Sequence, residues 1–147
     1  MIAKPMKKVI TLSAFLFFSG ASFCQTNVRQ NLAKQINALF VSCIDSNLNE
    51  VINIDKLGTI NILHKDKNET VDFNILDLSD IELVDNKKEN PPVLGILFQC
   101  KHCMRLTATS ADTKANFDNT TLMLPVLYKS LALKLVTKLE ELQKENR

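Results

Sequence analysis

The chain has 147 residues, enough for one domain with its own hydrophobic core, and carries 18 basic and 16 acidic residues. Residues 1–24 contain three lysines and no acidic residue, so the remainder has 15 basic residues against 16 acidic ones and a net charge of −1. That balance excludes an electrostatic nucleic-acid surface, and no nucleic-acid partner is expected. After residue 24 only Gly58 and Gly95 remain, which excludes phosphate-binding loops, dinucleotide-binding turns and serine-hydrolase elbows, because these motifs need several glycines.

The first 24 residues have the three parts of a secretory signal. Three lysines precede the apolar run Val9–Phe18, and small residues follow at positions 19–22. The apolar run is about half the ~20 residues that a membrane-spanning helix needs. We therefore predict that residues 1–24 are a signal peptide and that no transmembrane segment remains after its removal.

Two positions after the apolar run suit a signal peptidase, which requires small side chains: after Ala21 and after Cys24. The alternative is a lipoprotein in which Cys24 becomes the lipid-modified first residue, although Phe23 stands where such signals have a small residue. The lysine-rich start and the frequent Lys, Asn and Ile are typical of a bacterial protein. We therefore expect an exported protein that is periplasmic or secreted.

Residues 27–47 predict an amphipathic helix as the first element after the signal. Its apolar residues recur at three- and four-residue steps with polar residues between them: Val28, Leu32, Ile36, Leu39, Phe40, Cys43 and Ile44. Turn-forming Asp, Ser and Asn residues over 45–49 are expected to end the helix. Because Cys43 lies on the apolar face, we predict that its thiol is buried and unreactive.

From Thr59 onwards apolar residues occur at every second position, which indicates a change from helix to strand. Residues 59–64 and 71–75 are predicted strands, and the polar segment 65–69 between them predicts a hairpin. A third strand is predicted over Asp80–Asp85. His64, at the end of its strand, is expected to be a partly buried histidine rather than a catalyst.

Two further apolar runs, 93–99 and 104–109, flank residues 100–103 and predict a second hairpin with those four residues at its tip. In the register of such a hairpin, the side chains that face the core are Leu97, Met104 and Leu106. The connections over 85–92 and 109–121 are expected to be flexible.

The last predicted element is an amphipathic helix that begins near Pro125, a residue tolerated in the first helical turn. Leucines repeat along it at near-regular steps of four: Leu127, Leu131, Leu135, Leu139 and Leu142. Residues 25–147 are thus predicted to form a single α+β domain. It has an N-terminal amphipathic helix, an antiparallel meander of about five strands, and a C-terminal amphipathic helix packed on the sheet.

The segment Cys100–Cys103 is the only arrangement in the chain whose residue types indicate reactivity or metal binding. Two thiols separated by two residues can close a disulfide, bind a soft metal ion, or exchange disulfides with other thiols. In an oxidising compartment the first expectation is a structural disulfide between Cys100 and Cys103. The second is a soft-metal site with Cys100, His102 and Cys103 as ligands, although structural zinc takes four ligands and the chain has no second pair of this spacing. No other cofactor is expected.

Acidic residues cluster around the third strand: Asp77, Asp80, Glu82 and Asp85. Two carboxylates could act as general acid and base, but a cluster of this density is typical of a solvated face. No glycine-rich or aromatic cleft pattern accompanies them. The sequence therefore favours a protein without enzymatic activity.

The composition and motifs together predict a small exported, non-enzymatic domain of the cell envelope with a binding or accessory role. Its partner would be a protein or a small ligand of the envelope. The alternative is a metal-binding or thiol-redox protein that uses the Cys100 and Cys103 pair.

Overall fold

The computed structural model describes residues 13–110 and 113–147, with side chains described for 24–108 and 120–147. Over these residues the chain forms two α-helices and six antiparallel strands, in the order α1 (Ser13–Cys43), β1 (Glu50–Ile54), β2 (Thr59–His64), β3 (Glu69–Asn74), β4 (Leu78–Asn86), β5 (Val93–Ser110), β6 (Thr113–Pro125) and α2 (Lys129–Asn146). The predicted α+β class, with a helix at each end of a meander, is confirmed. Within the described residues, no helix is long and apolar enough to cross a membrane.

The sheet is antiparallel, and strands that follow one another along the chain lie side by side except for β3 and β4, which both pair with β5. β1 pairs with β2, and β2 pairs with β3. β3 pairs with β5 over residues 105–108 and β4 pairs with β5 over 93–100, so β3 and β4 together form one interrupted neighbour of β5. The interruption is a 3-10 turn, Ile75–Asp77. β6 lies on the other edge of β5.

The core lies between the two helices and one face of the sheet. Alternate residues of the strands point into it, with Ile60, Ile62, Val71, Phe73, Ile96 and Phe98 among the buried side chains. The rings of Phe73 and Phe98 pack with their centroids 5.3 Å apart. α2 contributes three leucines with no exposed area, Leu135, Leu139 and Leu142. Each contributes about 2 kcal/mol through burial, which explains why this helix packs on the sheet as predicted.

The two helices are antiparallel and are joined at both ends of their contact. The backbone N–H of Leu127 donates to the carbonyl of Cys43 at 2.8 Å, just before α2 begins. At the other end, Nε of Arg29 donates to the carbonyl of Glu145 at 2.7 Å. The start of the domain is therefore fastened to its last helical turn.

α1 differs from the predicted helix at both ends. It begins at Ser13, so it crosses both predicted cleavage positions; residues 1–12 lie outside the described residues. It ends at Cys43 rather than at residue 47, because Asp45 caps a separate 3-10 turn by accepting the N–H of Asn47 at 2.9 Å. Asn49 follows in the left-handed region, with φ of 51°, and turns the chain into β1.

Asn37 of α1 completes the exposed edge of β1. Its Oδ1 accepts the N–H of Ile54 at 2.8 Å, and its Nδ2 donates to the carbonyl of Ile54 at 3.0 Å. One side-chain amide therefore takes the place of a neighbouring strand at this residue, so both polar groups of the Ile54 backbone are satisfied.

The predicted second hairpin is wrong. Residues 93–110 form the single strand β5, and residues 100–103 interrupt it without reversing the chain. The predicted faces change accordingly: Phe98 is fully buried and Leu97 is not a core residue, whereas Met104 is buried as predicted. Leu106 is half-buried against the core.

β1 and β6 are strands that the sequence pattern did not predict. The segment 109–121 was expected to be a flexible connection, but the chain is in β6 from Thr113 onwards. Residues 111–112, which also belong to that segment, lie outside the described residues.

Candidate functional site

The segment Cys100–Cys103 forms a bulge in β5. Gln99 pairs with Thr121 of β6 and Met104 pairs with Asn119, so five steps along β5 match two steps along β6. The four residues of the segment therefore face a single residue of β6, Thr120. The bulge lies where β5 changes its neighbour from β4 to β3, opposite the 3-10 turn that separates these two strands.

A disulfide between Cys100 and Cys103 closes the bulge, with Cα atoms 5.8 Å apart. The two sulfurs have different surroundings, because Cys100 is 7% exposed and belongs to the core whereas Cys103 is half-buried. The N–H of Cys103 points at Sγ of Cys100, at 3.1 Å. His102 adopts the left-handed region with φ of 62°, which allows the chain to turn within four residues.

The bulge does not bring together the predicted metal ligands in a group of three. Lys101 and His102 are exposed at its tip, while the two cysteines are joined to each other. Among the residues the structure describes, no three His, Cys, Asp or Glu side chains form a group that could hold a metal ion. A soft-metal site would require the reduced thiolates, since the thiolate is the form that ligates metals.

A groove of about 660 Å³ runs between α1 and α2 on the surface away from the sheet core. α1 lines it with Gln35, Ala38, Leu39 and Ser42. α2 lines it with Lys134, Thr137, Lys138 and Glu141. The groove exists because Ala38, Ser42 and Thr137 are too short to fill the space between the two helices.

A smaller cleft of about 320 Å³ lies between the end of α1 and β1. Val41, which is 83% exposed, lines it together with Ile44, Val51 and Lys65. Beside it, Nδ1 of His64 lies 2.9 Å from a carboxylate oxygen of Glu50. His64 of β2 is therefore half-buried and contacts Glu50, the residue that pairs with it on β1.

Three acidic residues lie along β4, and Asp77 lies in the 3-10 turn that precedes it. Asp77, Asp80 and Glu82 are exposed. Nζ of Lys129 donates to Asp85 at 2.7 Å, and this hydrogen bond holds the pKa of the Asp85 carboxyl below its ordinary value. The ion pair connects the start of α2 to the end of β4.

Cys43 and Cys24 are the two cysteines outside the disulfide, and their environments are opposite. Cys43 has no exposed area and its burial raises the pKa of its thiol, because desolvation disfavours the thiolate. Cys24 is exposed on α1.

No family model, curated protein or solved structure matches the chain. Sequence reasoning identified the cysteine pair through its spacing but did not identify the groove. The residues that line the groove come from opposite ends of the chain, so no local pattern indicates the groove before the two helices are known to be neighbours.

Proposed function

We propose that the chain is an exported, non-enzymatic domain of the cell envelope whose role is to bind another molecule. The observation that carries the binding role is the open α1–α2 groove, where Leu39 is half-buried and Ala38 is exposed. Concave surfaces lined by apolar side chains with a few polar groups at their rim are the usual places for ligands and partner segments. Export is supported by the signal-peptide pattern of residues 1–24 and by the Cys100–Cys103 disulfide, because disulfides persist in oxidising compartments.

The intact mass of the protein recovered from the exported fraction tests whether the chain is exported. We expect a chain that begins at Ser22 or Gln25 and gains the mass of two hydrogen atoms on reduction, as the Cys100–Cys103 disulfide opens. A lipid on Cys24 would place the same domain at a membrane surface. Retention of the unprocessed chain in the cytoplasm, with Cys100 and Cys103 reduced, would contradict export.

Thiol–disulfide exchange at Cys103 is a second candidate function, and one contact favours it. Cys103 is the more exposed sulfur, and the N–H of Cys103 can stabilise negative charge on Sγ of Cys100. A thiolate of an external dithiol would attack Sγ of Cys103. The Cys103–Cys100 bond would break, and its electron pair would go to Sγ of Cys100, which would then take up a proton. The second thiol of the external molecule would release Cys103 as a thiolate, leaving that molecule oxidised and both cysteines reduced.

Incubation of the folded protein with graded ratios of reduced and oxidised glutathione separates the two candidates. An exchange protein would be reduced while folded, at ratios near those of the envelope, and a Cys103→Ser variant would lose exchange but remain folded. A structural disulfide would resist reduction until denaturant is added. Zinc added to the reduced protein, followed by native mass measurement of wild type and His102→Ala, tests the metal-binding form of this alternative.

A further inference from the structure

The exposed turn between β2 and β3 contains an acceptor pattern for N-linked glycans. The pattern is Asn, then any residue except proline, then Ser or Thr, and residues Asn68, Glu69 and Thr70 match it. Asn68 is the last residue of the turn over 65–68 and is exposed. Its backbone lies in the left-handed region, with φ of 53°, which Asn adopts more readily than most residues do. The side chain of Asn68 is therefore accessible to a second protein after the domain has folded.

The structure holds this turn at its base and leaves its tip in solvent. His64 and Glu69 pair across the base, as the last residue of β2 and the first residue of β3. Nδ2 of Asn49 donates to both carboxylate oxygens of Asp66 at 3.0 Å. All four residues over 65–68 are exposed. A bulky group attached at the tip would therefore extend into solvent and displace no core side chain.

A second match to the pattern, Asn119 with Thr120 and Thr121, has a different setting. Asn119 lies within β6 and pairs with Met104 of β5. A residue inside a paired strand becomes accessible to an enzyme only when the strand separates from its neighbour, whereas a turn residue needs no such opening. The fold therefore distinguishes two segments that are equivalent by the three-residue pattern alone.

The residue two positions before each asparagine distinguishes the two segments in the same way. Asp66 precedes Asn68 at this distance, whereas Phe117 precedes Asn119. Bacterial transferases that attach N-linked glycans select an acidic residue at this position. In an exported bacterial protein, Asn68 therefore has the complete acceptor pattern and Asn119 does not.

We infer that Asn68 carries an N-linked glycan attached after export. This inference rests on the export part of the proposed function and adds a modification site to it. The donor is an oligosaccharide on a lipid pyrophosphate, and the catalyst is an oligosaccharyltransferase of the envelope. Nδ2 of Asn68 attacks C1 of the first sugar and loses a proton to a base of the transferase. The bond between C1 and the phosphate oxygen breaks, and the lipid pyrophosphate leaves with its electron pair.

Peptide mapping by mass spectrometry tests the inference on protein recovered from the exported fraction of its own cells. We expect the peptide that contains Asn68 to exceed the mass of its sequence by a whole number of sugar residues. Fragmentation of that peptide should locate the added mass on Asn68. The peptide that contains Asn119 is expected to have the mass of its sequence.

Four variants with matched changes identify the acceptor. Asn68→Gln is expected to remove the added mass, and Asn119→Gln is expected to leave it in place. Thr70→Val removes the hydroxyl of the pattern at nearly constant volume and should abolish the modification, whereas Thr70→Ser keeps the hydroxyl and should keep the glycan. Circular dichroism spectra that match the wild type would show that all four variants fold.

An unmodified Asn68 in a chain that begins at Ser22 or Gln25 would overturn the inference and leave export intact. A glycan on Asn119, or an added mass that survives Asn68→Gln, would overturn it as well. An unprocessed, unmodified chain in the cytoplasm would contradict both the glycan and the proposed export. The start of the chain therefore distinguishes failure of this inference from failure of the proposed function.

Discussion

Single side chains satisfy backbone polar groups at the edge of the sheet, and Asn37, which bonds the backbone of Ile54 in β1, is the clearest case. We expect Asn37→Ala to lower the free energy of unfolding by about 1–3 kcal/mol, because the N–H and carbonyl of Ile54 would lose their partners at a partly buried position. Urea unfolding followed by circular dichroism measures the change.

Asn31→Ala is the matched control, since Asn31 is exposed on the same helix and the gain in helix propensity is the same. Equal unfolding midpoints for the two variants would show that the Asn37 amide does not stabilise the edge of β1.

At the scale of elements, α2 is a helix with one buried and one exposed face, and the two faces give opposite predictions. Leu135 has no exposed area and Leu133 is 49% exposed. We expect Leu135→Ala to cost about 2–5 kcal/mol, because it removes core contacts and leaves a cavity, and Leu133→Ala to change stability by no more than about 0.5 kcal/mol. Denaturant midpoints of the two variants provide the comparison, and similar losses would mean that α2 does not pack as described.

The Cys100–Cys103 disulfide fixes the local conformation of the β5 bulge more than it stabilises the domain as a whole. The bond closes a loop of four residues, for which loop entropy gives about 2 kcal/mol. We expect reduction, or the pair of changes Cys100→Ala and Cys103→Ser, to lower the free energy of unfolding by that amount while the protein remains folded.

Thermal unfolding with and without reductant measures this effect, and the double variant should be insensitive to reductant. A large effect of reductant on the double variant would point to another cause. Complete unfolding on reduction would show that the bulge is essential to the sheet.

The helices and the strands β2 to β4 could be predicted because their apolar residues repeat with a clear period. β6 escaped prediction because its Asn, Asp and Thr residues are typical of a loop, and only pairing with β5 makes it a strand. The bulge was predicted to be a hairpin tip because two apolar runs, 93–99 and 104–109, lie close together on either side of its four residues. Whether the chain then reverses depends on a neighbour supplied from residues 113–125, which no local pattern contains.

The same limit applied to the candidate sites. Spacing in the chain was enough to single out Cys100 and Cys103, because the two residues are local to each other. The α1–α2 groove joins residues from opposite ends of the chain, such as Ala38 and Thr137, so it could be found only once the antiparallel helix pair was known.

At the scale of the whole molecule, Cys43 reports on global unfolding. Its thiol has no exposed area, so we expect iodoacetamide to modify it only as fast as the protein unfolds. Burial raises its pKa in the folded state, so the unfolded thiol ionises first as the pH rises. The stability that the neutral thiol contributes is therefore complete below the pKa of the unfolded thiol, and it is lost as the pH rises towards the folded pKa.

Mass spectrometry of alkylated protein over time checks the first expectation, with exposed Cys24 as an internal control in chains that retain it. Alkylation of Cys43 at the rate of Cys24 in the folded protein would contradict its burial. Denaturant midpoints across the alkaline range check the second expectation.

The contact between α1 and α2 also sets an order of events during synthesis. Strands that neighbour one another in sequence can pair as soon as they leave the ribosome. The apolar stripe of α1, with Leu32, Ile36 and Phe40, packs partly against β1, which follows it in the chain, and partly against leucines that belong to residues 129–146. Until the final residues of the chain are made, the part of that stripe that packs on α2 stays in contact with water or with a chaperone. Premature termination near residue 128 would therefore yield an aggregation-prone product rather than a smaller folded domain.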